Sequence, residues 1–167
     1  MKLLPISSYI LNCFLLLIPI LVWNAILAPK LPVAYQAEIF DKDIPSVVTL
    51  GENIFRTFVM FLPLLMPLSM ASRSQKLGLY IFIFGMLVYF LSWIVLMAFP
   101  SGTWSMSAAG FLAPAYTPLI WLVGIGLVGT QFYFRSPYQS WMYILLSIIF
   151  LSFHITHAAI VYLRLNS

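Results

Sequence analysis

Charged side chains are scarce in this sequence. Of its 167 residues, 7% are Asp, Glu, Lys or Arg, while 63% are hydrophobic. Soluble proteins carry about 25% charged residues, and a soluble fold of this size has too little interior to hide so much apolar surface. The composition therefore excludes an ordinary soluble domain and indicates a protein that lies in a lipid bilayer.

Cysteine and the common catalytic motifs are also scarce. Cys13 is the single cysteine, which excludes an intramolecular disulfide and a cysteine metal cluster. The sequence lacks a P-loop, a dinucleotide fingerprint, a Gly-x-Ser-x-Gly elbow and a Cys-x-x-Cys pair. Its eight Lys and Arg residues are scattered, so the net charge of +4 bears on membrane orientation and no nucleic-acid partner is expected.

Long apolar runs are what the sequence does contain. Five of them are long enough for a helix that crosses a bilayer, and they predict an all-α bundle of five transmembrane helices in one domain. The predicted spans are residues 7–27, 54–72, 78–99, 106–129 and 140–163. We expect the first span to be retained, because its apolar part is longer than that of a cleaved signal peptide.

The connections predict an orientation in the membrane. The short loop 72–76 carries two basic residues and no acid, and together with Lys2 and Arg135 it favours the cytoplasmic side. Lys30, Lys42, Arg56 and Arg164 fall on the other side and weaken this assignment. The prediction is a multi-pass protein of the plasma or inner membrane, with its N-terminus cytoplasmic and its C-terminus external. The polar loop 28–53, which holds all four acidic residues, then lies outside.

Two patterns concern the shape of the helices. Pro-x-x-x-Pro occurs at 63–67 and at 114–118, where each proline removes a backbone hydrogen bond and predicts a kink. Pro45 is expected to open the second helix before its apolar run begins. Gly78, Gly85 and Ser92 give the third helix one face of small residues, which predicts close packing inside the chain or against a second copy.

One face of the last predicted helix is polar. At about 100° per residue, Tyr143, Ser147, His154, His157 and Arg164 share that face. Ionisable groups are costly against lipid, so the face is expected to point into the bundle or into a wet cavity. Glu52 and Arg56, an i,i+4 pair at the start of the second helix, are expected at a similar depth.

Four hypotheses account for the two histidines. They ligate a metal ion, with Glu52 or an acid of the first loop as third ligand. They relay protons, although no intramembrane Asp or Glu is expected to partner them. They bind a ligand in an aromatic pocket. In the fourth hypothesis, which is the leading one, the histidines have a structural role alone. They hold the bundle together through hydrogen bonds to residues such as Asn12, Ser92 or Thr117.

The leading function on this basis is not enzymatic. We expect binding, sensing or transport of a hydrophobic or amphipathic small molecule between the second, fourth and fifth helices. The residues expected to bind it are His154, His157, Tyr143, Ser147, Glu52 and Arg56. The alternatives are a small membrane enzyme with a metal at His154 and His157, and an accessory subunit that binds other membrane proteins. The sequence does not identify a cofactor, and a metal ion and a bound lipid are the two candidates. The expected partners are the bilayer, the ligand, and a second copy or another membrane protein.

Overall fold

The computed structural model describes residues 10–134 and 138–166, and all regular structure in those residues is helical. Lys2, Arg135 and the first residues of the predicted first span lie outside the described residues. The α-helices are α1 Ile18–Leu27, α2 Ala37–Phe40, α3 Ser46–Phe61, α4 Arg73–Ala98, α5 Thr103–Met106, α6 Ala108–Phe111, α7 Ala113–Tyr116, α8 Pro118–Val128 and α9 Ser140–Leu165. Short 3₁₀ helices cover Cys13–Leu16, Ala28–Lys30, Val33–Tyr35 and Leu62–Leu65.

Four helical segments in the described part of the chain are long and apolar enough to cross a bilayer, where the sequence predicted five. They are Cys13–Lys30, Ser46–Leu65, Arg73–Ala98 and Ser140–Leu165. The predicted span 106–129 is instead a succession of short helices. Pro114 and Pro118 lack the N–H that a continuous helix needs, and the Ser107 side chain accepts from Gly110 N and caps a new helix there.

The second helix lies earlier in the chain than its predicted span. It begins at Ser46, directly after Pro45 as expected, which brings Glu52 and Arg56 well inside the helix. Its end is also different: at Pro63 the chain tightens into a 3₁₀ turn, and Met66 is already extended. The first Pro-x-x-x-Pro motif therefore ends its helix, where a kink was predicted.

Helices α4 and α8 form the closest pair in the bundle. A Cβ atom added at Gly85 would lie 2.5 Å from the Trp121 backbone nitrogen, and one at Gly78 would lie 2.8 Å from the Gly124 carbonyl oxygen. Only residues without a side chain allow the two backbones to approach so closely. The small face predicted for this helix thus packs inside the chain at Gly78 and Gly85.

Contacts between loops define the two ends of the bundle. At one end, Cys13 N donates to Met66 O at 2.9 Å and Tyr133 N donates to Leu65 O at 3.0 Å. At the other end, the Arg164 guanidinium donates to the carbonyl oxygens of Ile39 and Lys42. The segment 28–45 and the end of α9 therefore lie together, as the sequence predicted. Which end faces the cytoplasm stays a prediction.

Replacement of Gly85 by Ala tests the close approach of α4 and α8. Helix propensity alone would favour Ala by about 0.5–1 kcal/mol. We expect the opposite sign, a loss of about 1–3 kcal/mol, because the new methyl group collides with the α8 backbone. Thermal unfolding in detergent measures the effect. Leu87→Ala on an exposed face of the same helix is the control with little expected change, and a higher unfolding temperature for Gly85→Ala would contradict the packing.

Candidate functional site

The carboxylate of Glu52 lies at the centre of a polar cluster between α3 and α9. Glu52 is 2% exposed. Its Oε1 atom is 2.8 Å from Nδ1 of His154, and its Oε2 atom is 2.7 Å from Nδ1 of His157. Arg56 also donates to Oε1. One buried carboxylate is therefore shared by two imidazoles and a guanidinium.

Helical spacing and one glycine create this arrangement. His154 and His157 are three residues apart, so both face α3, and Glu52 and Arg56 are neighbours one turn apart on that helix. Gly51 lets the helices approach at the same level. A Cβ atom there would lie 2.5 Å from the Phe153 ring.

His157 makes a second contact, with the segment that precedes α3. Its Nε2 atom is 3.1 Å from the Phe40 carbonyl oxygen and 3.6 Å from Oδ1 of Asp41. The Phe40 ring stacks on the imidazole with 4.6 Å between ring centroids. Because a carbonyl oxygen only accepts, Nε2 carries a hydrogen. The contact between Nδ1 and Glu52 then holds one further proton, which the imidazole and the carboxyl group share.

His154 connects the cluster to a cavity of about 400 Å³. The His154 side chain is 24% exposed, and its Nδ1 atom contacts the carboxylate of Glu52. No atom of the described residues hydrogen-bonds to its Nε2. Arg56, whose side chain is 45% exposed, lies beside it on the same wall. The polar cluster thus presents an imidazole and a guanidinium to the cavity and keeps the carboxylate behind them.

The remaining walls of the cavity are largely apolar and aromatic. They come from the first helical segment (Cys13–Lys30), from the segment 31–40, and from α3, α4 and α6 to α9. The aromatic residues among them are Tyr35, Phe40, Tyr89, Trp93, Phe111, Trp121 and Phe150. The Tyr35 hydroxyl donates to the Phe111 carbonyl oxygen at 2.8 Å, and burial raises the pKa of that hydroxyl, which keeps it a donor. This bond connects the segment before α3 to the succession of short helices α6 to α8, which we call the broken helix.

Two of the six residues predicted to bind a ligand lie away from the cavity. Tyr143 and Ser147 are fully buried in the bundle. The Tyr143 hydroxyl donates to Val59 O at 3.1 Å, and the Ser147 hydroxyl donates to Tyr143 O at 2.8 Å. Both hold helices together. His154 and Arg56 line the cavity, whereas Glu52 and His157 form the layer behind them.

The predicted hydrogen-bond partners of the histidines also differ from those in the structure. Asn12 caps the first 3₁₀ helix, and the hydroxyls of Ser92 and Thr117 donate to carbonyl oxygens of their own helices. Glu52 takes their place. The sequence predicted Glu52 at the entrance to the second helix, at the end of the polar loop 28–53 and outside the apolar span 54–72. In the structure Glu52 is buried against both histidines, which makes it the acidic partner that the proton-relay hypothesis lacked.

Phe40 is a contact of His157 that sequence reasoning missed, whereas Asp41 is one of the first-loop acids that were expected near the histidines only as metal ligands. Phe40 is the last residue of α2 and lies 117 residues before His157, so no local signal placed the two together. The stacked ring of Phe40 was one apolar residue among many.

The geometry around the histidines does not favour a shared metal ion. Nδ1 of each ring faces a Glu52 oxygen, and Nε2 of His157 faces Phe40 O. Over residues 10–134 and 138–166, no group of three or more His, Cys, Asp or Glu residues is arranged to hold a metal. The structure therefore gives the histidines hydrogen-bonding roles.

No protein-family model, no curated protein and no solved structure matches this chain. The case for a function therefore depends on the chemistry of the cavity and the cluster.

Glu52→Gln tests whether the cluster depends on a charged carboxylate. An amide is neutral and offers one acceptor atom to three donors. Breaking a buried charged network by removing one partner costs about 3–5 kcal/mol, so we expect a loss of stability of that order. Unfolding in mixed micelles measures it. Glu38→Gln, an exposed acid before the site, is the matched control, and equal unfolding midpoints for the two variants would refute the central role of Glu52.

Proposed function

We propose that this protein binds an amphipathic small molecule in the cavity between the first helical segment, α3, α9 and the broken helix. The observation that carries the proposal is the cavity itself. Its volume of about 400 Å³ lies in the range of small-molecule sites, which enclose about 300–1,000 Å³. Ligand sites of this kind combine apolar walls with a few polar groups, and this cavity has both.

The walls favour an apolar body for the ligand. Trp93 and Trp121 are 6% and 2% exposed, so their rings are part of the wall and of the protein core at once. Tyr89 packs edge-on against both of them and donates to Asn24 Oδ1 at 2.8 Å. A wall fixed in this way suits a molecule whose larger part is hydrophobic.

The cluster at Glu52 favours one polar group on the same ligand. Arg56 and His154 reach the cavity, and Glu52 fixes both of them. A binding group that is held in place before the ligand arrives loses less conformational entropy on binding. The polar group of the ligand is expected at this wall and its apolar body among the tryptophans.

The broken helix supports a site at this position. In a bilayer, irregular backbone is tolerated where it lines a cavity or is buried in protein. Phe111, Pro114, Ala115 and Pro118 belong to the interrupted segment and line the cavity. In membrane transporters, interrupted helices commonly mark the substrate site, so transport is one form that this binding function takes.

The proposal places the protein in the plasma or inner membrane, with the cavity nearer the external end. The end of α9 and the segment 28–45 would face outward, and the segment 66–72 with the first turn of α4 would face inward. Arg73 and Lys76 at the inward end carry this orientation. Labelling of single cysteines at Ser101 and Ala71 in intact cells tests it, with Cys13 replaced by Ala. Labelling by a membrane-impermeant reagent at residue 101 alone is expected, and labelling at residue 71 alone would reverse the orientation.

Quenching of tryptophan fluorescence by ω-bromoundecanol tests the binding site. The protein is reconstituted in lipid nanodiscs with Trp23, Trp104 and Trp141 replaced by Phe, so that Trp93 and Trp121 remain. Bromine quenches an indole only at close range. We expect saturable quenching in this background, because the apolar end of the probe reaches the tryptophan wall.

Ala115→Phe tests whether the quenching comes from the cavity. The added ring occupies the cavity and is expected to weaken probe affinity by about tenfold or more, since overpacking of a filled site costs about 1–3 kcal/mol. Ala109→Phe adds the same ring at an exposed position nearby and should leave the affinity unchanged. Ala28→Phe, on another wall, replaces Ala115→Phe if that variant does not fold. Non-saturable quenching, equal in all variants, would refute the site.

A further inference from the structure

The polar cluster carries one positive charge that no buried group balances. Glu52 and His157 share a single proton across a 2.7 Å contact, and Nε2 of His157 keeps its own hydrogen against Phe40 O. Wherever the shared proton lies, Glu52 and His157 together have no net charge. His154 is neutral when Nδ1–H donates to Glu52 and Nε2 stays unprotonated. The charge of Arg56 therefore remains.

Arg56 is also the charged group that faces the cavity. One of its nitrogen atoms donates to Glu52, and none of the other guanidinium N–H groups has a hydrogen-bond partner in the described residues. The guanidinium carbon lies 5.9 Å from the centre of the Phe150 ring, which also stacks on His154. A guanidinium placed over a ring keeps a fixed plane, and its remaining N–H groups form the fork that binds carboxylates and phosphates.

Other charged groups around the cluster do not cancel this charge. Asp41 contacts His157 from the loop side, but its side chain is 67% exposed, where water and salt screen it. Arg164, on the same helix as the histidines, is itself a cation and donates to loop carbonyl oxygens. Glu52 is already shared among three donors. An anion bound in the cavity would therefore balance the positive charge of Arg56.

We propose that the ligand of this cavity is an anionic amphiphile, an apolar molecule that ends in one carboxylate or phosphate group. This inference rests on the proposed function and names the chemistry of its ligand. Arg56 binds the anion through its free N–H groups. His154 lies beside it, and Glu52 orients both side chains. An uncharged amphiphile of the same length gains the apolar contacts alone.

A matched pair of probes tests the charge directly. ω-Bromoundecanoic acid and ω-bromoundecanol have the same chain and bromine and differ at the polar end. Both are titrated into nanodiscs of zwitterionic lipid at a pH that ionises the acid, with partition into empty nanodiscs subtracted. We expect the acid to bind at least about tenfold tighter, since hydrogen bonds to charged groups are about twice as strong as neutral ones. Equal, saturable affinities would overturn the inference and leave the proposed function standing. Absence of saturable binding by either probe would overturn both.

Variants of Arg56 test whether this residue causes the preference for the acid over the alcohol. Arg56→Gln should bring the two affinities within about twofold of each other, chiefly by weakening the acid, because only the anion uses the charge of Arg56. Arg56→Lys keeps the charge and should retain part of the preference. Arg73→Gln, at the other end of the bundle, should retain all of it. If Arg56→Gln does not fold, His154→Gln takes its place with a smaller expected loss. An unchanged preference in both cavity variants would contradict the assignment to this wall.

A membrane phospholipid and a free amphiphile share the anionic chemistry. Phosphatidic acid added to the nanodisc lipid distinguishes them. If it weakens binding of the bromo acid in the native sequence and not in Arg56→Gln, the anion that the site takes is a lipid headgroup. If the affinity is unchanged, the site selects a free amphiphile.

Discussion

The buried carboxylate of Glu52 is the constraint on which the site depends. A charge at this depth is stable only with donors around it, because the desolvation of an ion costs far more than any single contact returns. The chain supplies three donors, from Arg56, His154 and His157. Two helices and the segment before α3 must meet in one register to do so. The cluster therefore fixes α3 against α9 and gives the cavity a rigid polar wall.

The interrupted helix is the second element that makes a site possible. The segment 106–129 is not one continuous helix, because Ser107 is extended and a new helix begins at Ala108. Short helices instead leave an irregular wall, and the Tyr35 hydroxyl satisfies the carbonyl of Phe111. The close contact of α4 with α8 holds the far side of this wall. The close packing of α4 against α8, next to the interrupted helix, thus forms one side of the cavity.

Much of the fold follows from the sequence, and less of the site does. Apolar length alone predicted the helical class, and the spacing of His154 and His157 predicted a common buried face for α9. The spacing of Glu52 and Arg56 predicted their ion pair, which the structure confirms. Hydropathy marked only the apolar run 54–72 of the second helix, whereas Pro45 predicted the start of α3, which the structure confirms. It also missed that Ser107 is extended and caps a new helix inside the predicted fourth span. No local pattern links Phe40 to His157 across the chain.

Nitrogen NMR of the two histidines tests the shared carboxylate most directly. With ¹⁵N-labelled histidine, a chain that contains only His154 and His157 gives four ring signals. The account predicts that both nitrogens of His157 are hydrogen-bonded. It also predicts that His154 has a protonated Nδ1 and an unprotonated Nε2, and that Glu52→Gln alters the signals of both rings. Two histidines that exchange between tautomers as free imidazole does, unaffected by Glu52→Gln, would contradict it.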